Sequence, residues 1–191
     1  NLAGQMTSEK YPSGKIVTTS YDANGRMSGL ADSQRTYLSG MQYQGKGNSL
    51  SQMSLGNGTT ESFTLNDRFQ MEEQQLKKGS DVLQKYVYGY GQVDVNGVLH
   101  TGQNNGQLGT IESWIGGNKQ ATQKFRYDHI GRLKESAEYR GDNGNLTYKQ
   151  VFDFDRFGNL YRKFSNNFTA VQQYPLIYEP IEVFFFILSI F

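Results

Sequence analysis

Apolar and polar residues alternate along several stretches of this chain with a period of two. In Gln123-Lys124-Phe125-Arg126-Tyr127-Asp128, Phe125 and Tyr127 fall on one face while Lys124, Arg126 and Asp128 fall on the other. Phe152 and Phe154 alternate with Asp153 and Asp155 in the same way, and Tyr86, Tyr88 and Tyr90 repeat the pattern. Such alternation marks half-buried strands, because successive side chains of a strand point to opposite faces. The first two stretches run into Asp-x-x-Gly and then into an aliphatic residue, Leu133 or Leu160. Asp can bond its own backbone two residues on, and Gly accepts a positive φ without a Cβ clash. The predicted unit is therefore strand, tight turn, strand: a hairpin.

The unit recurs. Tyr21-Asp22-Ala23-Asn24-Gly25-Arg26-Met27 returns at Tyr127-Asp128-His129-Ile130-Gly131-Arg132-Leu133 and again at Phe154-Asp155-Arg156-Phe157-Gly158-Asn159-Leu160. Weaker copies lie between them. Tyr43-Gln44-Gly45-Lys46-Gly47-Asn48-Ser49-Leu50 aligns Gly47 with Gly25, and Leu65-Asn66-Asp67-Arg68-Phe69 reads as a shortened copy without its Gly. Asn96-Gly97-Val98-Leu99 and Asn105-Gly106-Gln107-Leu108 keep only the turn and the aliphatic residue. A period of about 20 to 27 residues suits hairpins joined by variable far loops. Met71-Glu72-Glu73-Gln74-Gln75-Leu76-Lys77-Lys78 is made of good helix formers, yet its place in the repeat argues for a strand.

Tyr-Asp-x-x-Gly-Arg-Leu after an alternating aromatic strand resembles the YD repeats of RHS-repeat proteins. Residues 11–27 look like one whole RHS unit, and the resemblance covers roughly residues 5–165. It implies an all-β fold of repeated antiparallel β-hairpins forming a twisted, curved β-strip, which in that family spirals into a hollow shell. Such shells occur in bacterial toxin complexes, polymorphic toxins and animal cell-surface teneurins. A complete shell needs many more repeats, so the expectation is an arc of one, cut from a longer polypeptide and secreted or displayed at a cell surface, most simply a bacterial one. Tyr174-Pro175-Leu176-Ile177-Tyr178-Glu179-Pro180-Ile181 resembles the first half of the family's shell-closing phrase, but Glu179 stands where Asp is expected and no Gly follows. Autoproteolysis is therefore not carried over.

Composition agrees with strands and turns. Thirteen Tyr, 12 Phe and 22 Gly accompany three Pro, and the mean hydropathy is −0.65. Tyr reconciles the polar mean with folding, since its ring packs while its hydroxyl reaches water. A net charge of +1 gives no pull toward nucleic acid, and zero Cys excludes a disulfide scaffold and thiolate metal sites. His100 and His129 do not form a metal spacing, and no nucleophile elbow, phosphate loop or His triad is present. No cofactor and no enzymatic activity are expected.

The residues expected to define the repeat are Tyr21, Asp22, Gly25, Arg26, Tyr127, Asp128, Gly131, Arg132, Phe154, Asp155 and Gly158. Trp114, Tyr88 and Tyr90 are candidates for stacking on a glycan, with packing as the plain alternative. The repeats occupy residues 1–170. Residues 171–191 form an apolar tail ending in Val183-Phe184-Phe185-Phe186-Ile187-Leu188-Ser189-Ile190-Phe191. Nine uncharged residues fall short of the ~20 that a membrane helix needs, so a strand or an assembly segment is expected there rather than an anchor. Two functions follow. One is a structural wall or scaffold segment whose partners are further repeats; the other is a surface adhesion module in which identical chains add strands to one another or hold glycans.

Overall fold

A computed structural model describes residues 4–141 and 144–164. Fifteen strands follow in chain order: β1 Ser8–Lys10, β2 Ile16–Tyr21, β3 Met27–Ala31, β4 Thr36–Gln42 and β5 Gln52–Leu55. Next come β6 Thr60–Leu65, β7 Met71–Lys78, β8 Asp81–Tyr90, β9 Gln92–Val93 and β10 Leu99–His100. The last five are β11 Leu108–Ile115, β12 Asn118–Tyr127, β13 Leu133–Arg140, β14 Asn145–Phe154 and β15 Leu160–Phe164. Among the described residues the only helical pieces are two 3-10 turns, at Lys46–Asn48 and Thr101–Gln103. The fold is all-β, as expected, and the helix-forming composition of Met71–Lys78 yields to pairing on both sides: Gln74 sits opposite Phe63 and Tyr86.

Thirteen strands form one antiparallel sheet in sequence order, β1 to β8 and then β11 to β15, so every hairpin pairs with its neighbours in the chain. The sheet is open. Thirteen strands at ~4.8 Å spacing make a strip on the order of 60 Å long. All the Tyr-Asp-type turns lie along one margin, because they join an even strand to the next odd one or β8 to β11; the far turns line the other. Register slips recur beside these turns, at Ser20/Tyr21, Thr64/Leu65 and Arg126/Tyr127, and again toward the far margin at Leu76/Lys77 and Ser113/Trp114. Each slip is a bulge that bends its strand and increases its twist.

Burial is shallow. Met53, Val93 and Ala137 are the buried hydrophobic residues among those described, with Thr59 the buried polar one. The aromatic rows are half-buried rather than enclosed, because no second layer covers most of the sheet. Tyr86 and Tyr88 lie on one face with ring centroids 6.5 Å apart, and the Tyr88 hydroxyl donates to Gln74 Oε1. The opposite face carries rows of ion pairs: Lys119 with Glu112, Arg126 with Glu135, Lys149 with Glu135. The tail expected at 171–191 lies outside the described residues.

β9 and β10 stand apart as a two-stranded hairpin set within the turn between β8 and β11. The pair folds back onto the sheet and touches β12. This insertion stretches one repeat and explains the break in period between residues 71 and 108.

Turn glycines should be more sensitive than open ones. Gly131 has φ +88° and an added Cβ would also meet Gln107 Nε2 at 3.0 Å, whereas Gly102 has open space and no positive φ. Gly131→Ala is expected to destabilise by about 1–2 kcal/mol, with Gly102→Ala near neutral, as read from urea-unfolding midpoints.

Candidate functional site

The recurring turns form a repeated polar arrangement, and the three that carry the full phrase are built alike. In the first, the Asp22 N–H donates to the Arg26 carbonyl and the Gly25 N–H to the Asp22 carbonyl. Asp22 Oδ1 accepts the N–H groups of Asn24 and Arg26, both at 2.9 Å, while Oδ2 accepts Arg26 Nε at 2.9 Å. Asp128 repeats this with Ile130, Arg132 and the Arg132 guanidinium. Asp155 does the same with Phe157 and Asn159, the Asn159 amide replacing the guanidinium at 2.7 Å. One short carboxylate thereby satisfies backbone donors that a tight turn leaves unpaired.

The interior copies differ from their expected forms. Leu65–Phe69 is a full-length turn: Asn66 Oδ1 takes the N–H groups of Arg68 and Gln70, and Phe69 occupies the glycine place at φ +61°. Near Tyr43 the turn slips by one residue. Gly45 takes the Asp place and Asn48, at φ +58°, the Gly place, so Gly47 is not the counterpart of Gly25. The phrase at Gly97 also keeps its acid, because Asp94 Oδ1 accepts from Asn96 and Val98. Asp94 was legible as the residue three before Gly97, but the aromatic expected in front of it is Val93. The turn at Gly106 begins twelve residues earlier in the chain than its spacing suggests: Tyr90 faces Leu108 across the sheet and the Gly91 N–H donates to the Gln107 carbonyl.

Between hairpins runs a second set of contacts. The Tyr21 hydroxyl donates to the Met6 carbonyl at 2.7 Å, Tyr43 to Met27 at 2.7 Å and Tyr127 to Leu108 at 2.9 Å. For Tyr43 and Tyr127 the acceptor is the aliphatic residue that closes the preceding turn. The residue just before that aliphatic reaches forward. Arg26 lies 4.4 Å from the Tyr43 ring centroid and Arg132 lies 4.1 Å from that of Phe154. Gln5 and Gln107 instead donate to the carbonyls of Gly25 and Gly131, at 2.6 and 3.2 Å. The turns at Asp22 and Asp128 are thus bonded within themselves by the Asp and to their neighbours by aromatic and Arg contacts. The Gln contacts gave no signal in the sequence, since Gln5 and Gln107 stand where the motif leads one to look for Arg.

The remaining candidates scatter. Lys85 and Lys119 place their ammonium groups 4.8 and 5.6 Å from the Trp114 ring centroid, where a sugar would otherwise stack. Tyr88 is engaged with Gln74 on the other face from Trp114, and Tyr90 stands at the turn margin. Trp114, Tyr88 and Tyr90 therefore do not converge. On the far margin the Asp32 carboxylate accepts the Tyr37 hydroxyl at 2.6 Å and pairs with Lys15 at 3.1 Å. Among the described residues no cluster of three or more His, Asp or Glu side chains is placed to hold a metal, and no helix is long and apolar enough to cross a membrane.

The tyrosine rung is absent at Phe154, which has no hydroxyl to give to Leu133. Phe154→Tyr is expected to restore it and stabilise by about 0.5–1.5 kcal/mol, while Tyr127→Phe removes a rung and destabilises by a similar ~0.5–1.5 kcal/mol; urea midpoints of both variants test this. The turn carboxylates also predict an acid sensitivity. Hydrogen bonds from the Arg26 N–H and guanidinium hold the Asp22 carboxyl below its ordinary value. At Asp128 burial pulls upward, but donation from Arg132 and Ile130 together outweighs it. At Asp155 the Asn159 amide leads the same lowering. Because these folded values are depressed, their stabilisation is whole above the unfolded value of about 3.9 and is lost as pH falls through the folded ones. Thermal melts should therefore hold steady from neutral pH to about 5 and drop below about 4, with a shallower drop in Asp22→Asn/Asp128→Asn.

Residues 1–37 match the family model described as RHS repeat. The fold is similar to that in crystal structures of TcdB2-TccC3-TEV (TM-score 0.63, 17% identity) and TcdB2-TccC3-Cdc42 (TM-score 0.63, 16% identity), each likeness covering 83% of this chain. TcdB2-TccC3 without its hypervariable C-terminal region aligns with a TM-score of 0.52 at 12% identity, again over 83% of this chain. The chain spans only 8–10% of the length of those proteins. No curated protein matches it. The first unit of the chain thus matches an RHS repeat, and the later hairpins repeat its turn within a fold similar to that of those structures.

Proposed function

We propose that this chain is a wall segment of an RHS-type container or extracellular scaffold, secreted or held at a bacterial cell surface, with no chemistry of its own. The observation that carries the reading is the sheet itself. Thirteen strands run in chain order as an open strip, and β1 and β15 each have one side unpaired among the described residues. A strip of this kind propagates by adding hairpins, since each new hairpin gains the rung and ring contacts of the last. Its turn carboxylates are spent on holding turns together, and the candidates for sugar stacking do not share one face. Partners are accordingly further repeats of the same kind. The comparisons lend no support to a glycan partner.

A second reading rests on the same free edges. Identical chains could add strands at β1 or β15 and form a fibre, because an unpaired strand edge is a template for another. Both readings need the edges covered, and they differ in what covers them.

The purified 191-residue chain is expected to associate at micromolar concentration, seen by light scattering, because uncovered edges seek partners. A stable monodisperse monomer would contradict both readings. Electron microscopy separates them: long uniform fibres favour strand addition between copies, whereas hollow particles from a polypeptide carrying the neighbouring repeats favour the wall.

A further inference from the structure

The inserted hairpin roofs a polar hollow on the ion-paired face of the sheet. Lys124, Ala137 and Lys149 stand opposite one another on β12, β13 and β14, so the small Ala137 side chain separates two lysines on one face. Two interstrand spacings, about 9.6 Å, lie between the lysine backbones. Ala137 is 2% exposed because the hairpin covers it, and Val93 is buried with it. The partly open hollow has a volume of about 100 Å³ and is lined by Asp94, Asn96, Gly97, Lys124, Arg126, Glu135 and Lys149, among others.

Its charges do not balance. Arg126 and Lys149 share a single carboxylate, reaching the two oxygens of Glu135 at 3.2 and 3.0 Å. Lys124 meets neutral groups: its ammonium donates to the Gly97 carbonyl at 2.8 Å and lies 4.8 Å from the Tyr139 ring centroid. The other carboxylate in the lining, Asp94, is committed elsewhere. Its Oδ1 accepts two turn N–H groups, and its Oδ2 lies 3.1 Å from His100 Nε2. Three cations therefore converge on one available acid beneath a roof that limits their hydration. Covered charge without a counter-ion is costly, and guanidinium and ammonium groups together are suited to an oxyanion.

We propose that this hollow binds a small oxyanion of the phosphate type, with Lys124, Arg126 and Lys149 as donors and Glu135 as the group the anion competes against. The site is independent of the wall reading, since it depends on the insertion and not on the edges. Glu135 holds two of the donors in place while the hollow is empty.

Calorimetric titration of the 191-residue chain with inorganic phosphate, at ionic strength held constant with chloride, tests it. Saturable binding is expected, weakened about tenfold by Lys149→Gln or Lys124→Gln, kept by Lys149→Arg and strengthened by Glu135→Gln. Lys10→Gln, on the distant strand β1, should leave the curve unchanged. Circular dichroism of each variant separates lost binding from lost folding. A glycerol phosphate arm distinguishes sources: equal binding means that the phosphate group of a larger molecule can enter, and exclusion means free phosphate alone. Heat without saturation, or a curve that responds to Lys10→Gln as it does to Lys149→Gln, overturns the proposal.

Discussion

A sheet one layer thick has little core to lock its strands, so the relation of one hairpin to the next rests on contacts along its margin. The tyrosine hydroxyl that donates back to the backbone of the preceding segment does this at Tyr21, Tyr43 and Tyr127. Its geometry depends on the shape of the turn that offers the carbonyl, and before Tyr43 the Asp22 side chain fixes that shape by accepting from the second and fourth residues onward. The two interactions depend on each other. A slack turn would move the acceptor, and a missing hydroxyl would leave two well-formed hairpins joined by ladder hydrogen bonds and the contact of an Arg with the ring, as at Phe154.

That dependence accounts for the composition. Tyr is abundant because a single-layer strand needs a side chain that packs on a half-open face and still ends in a donor. Gly is abundant because each turn needs one left-handed residue, and Phe69 and Asn48 show the positions where the chain accepts the strain of a side chain there. Asp22, Asp128 and Asp155 resemble a set of catalytic carboxylates only in one dimension. Each is consumed within its own turn, and successive turns lie two strands apart, about 10 Å, along the margin.

The inserted hairpin shows how such an array can carry something beyond its own architecture. It reuses the same Asp-capped turn at Asp94, yet it leaves the strip and lies across β12, producing a place where buried apolar atoms and crowded cations meet. A wall made of uniform hairpins would have no comparable hollow.

Strand, turn and repeat were legible because they are local. Period-two alternation, Asp-x-x-Gly and the aliphatic residue after it are fixed by backbone sterics and by hydrogen bonds within five residues, and they identified the hairpins at Gly25, Gly131 and Gly158 and the family they resemble. The degenerate copies were misread for the same reason. Nothing near Phe69 advertises that a bulky residue will take a left-handed φ, and nothing near Gly47 shows that the turn has slipped to Asn48. Which carbonyl Tyr127 finds, how Lys85 and Lys119 come to sit by Trp114, and that Lys124, Arg126 and Lys149 gather beneath residues 94–97 were decided only in three dimensions. Those neighbours are separated by up to several tens of residues in the chain, and only strand register, with its bulges, brings them together.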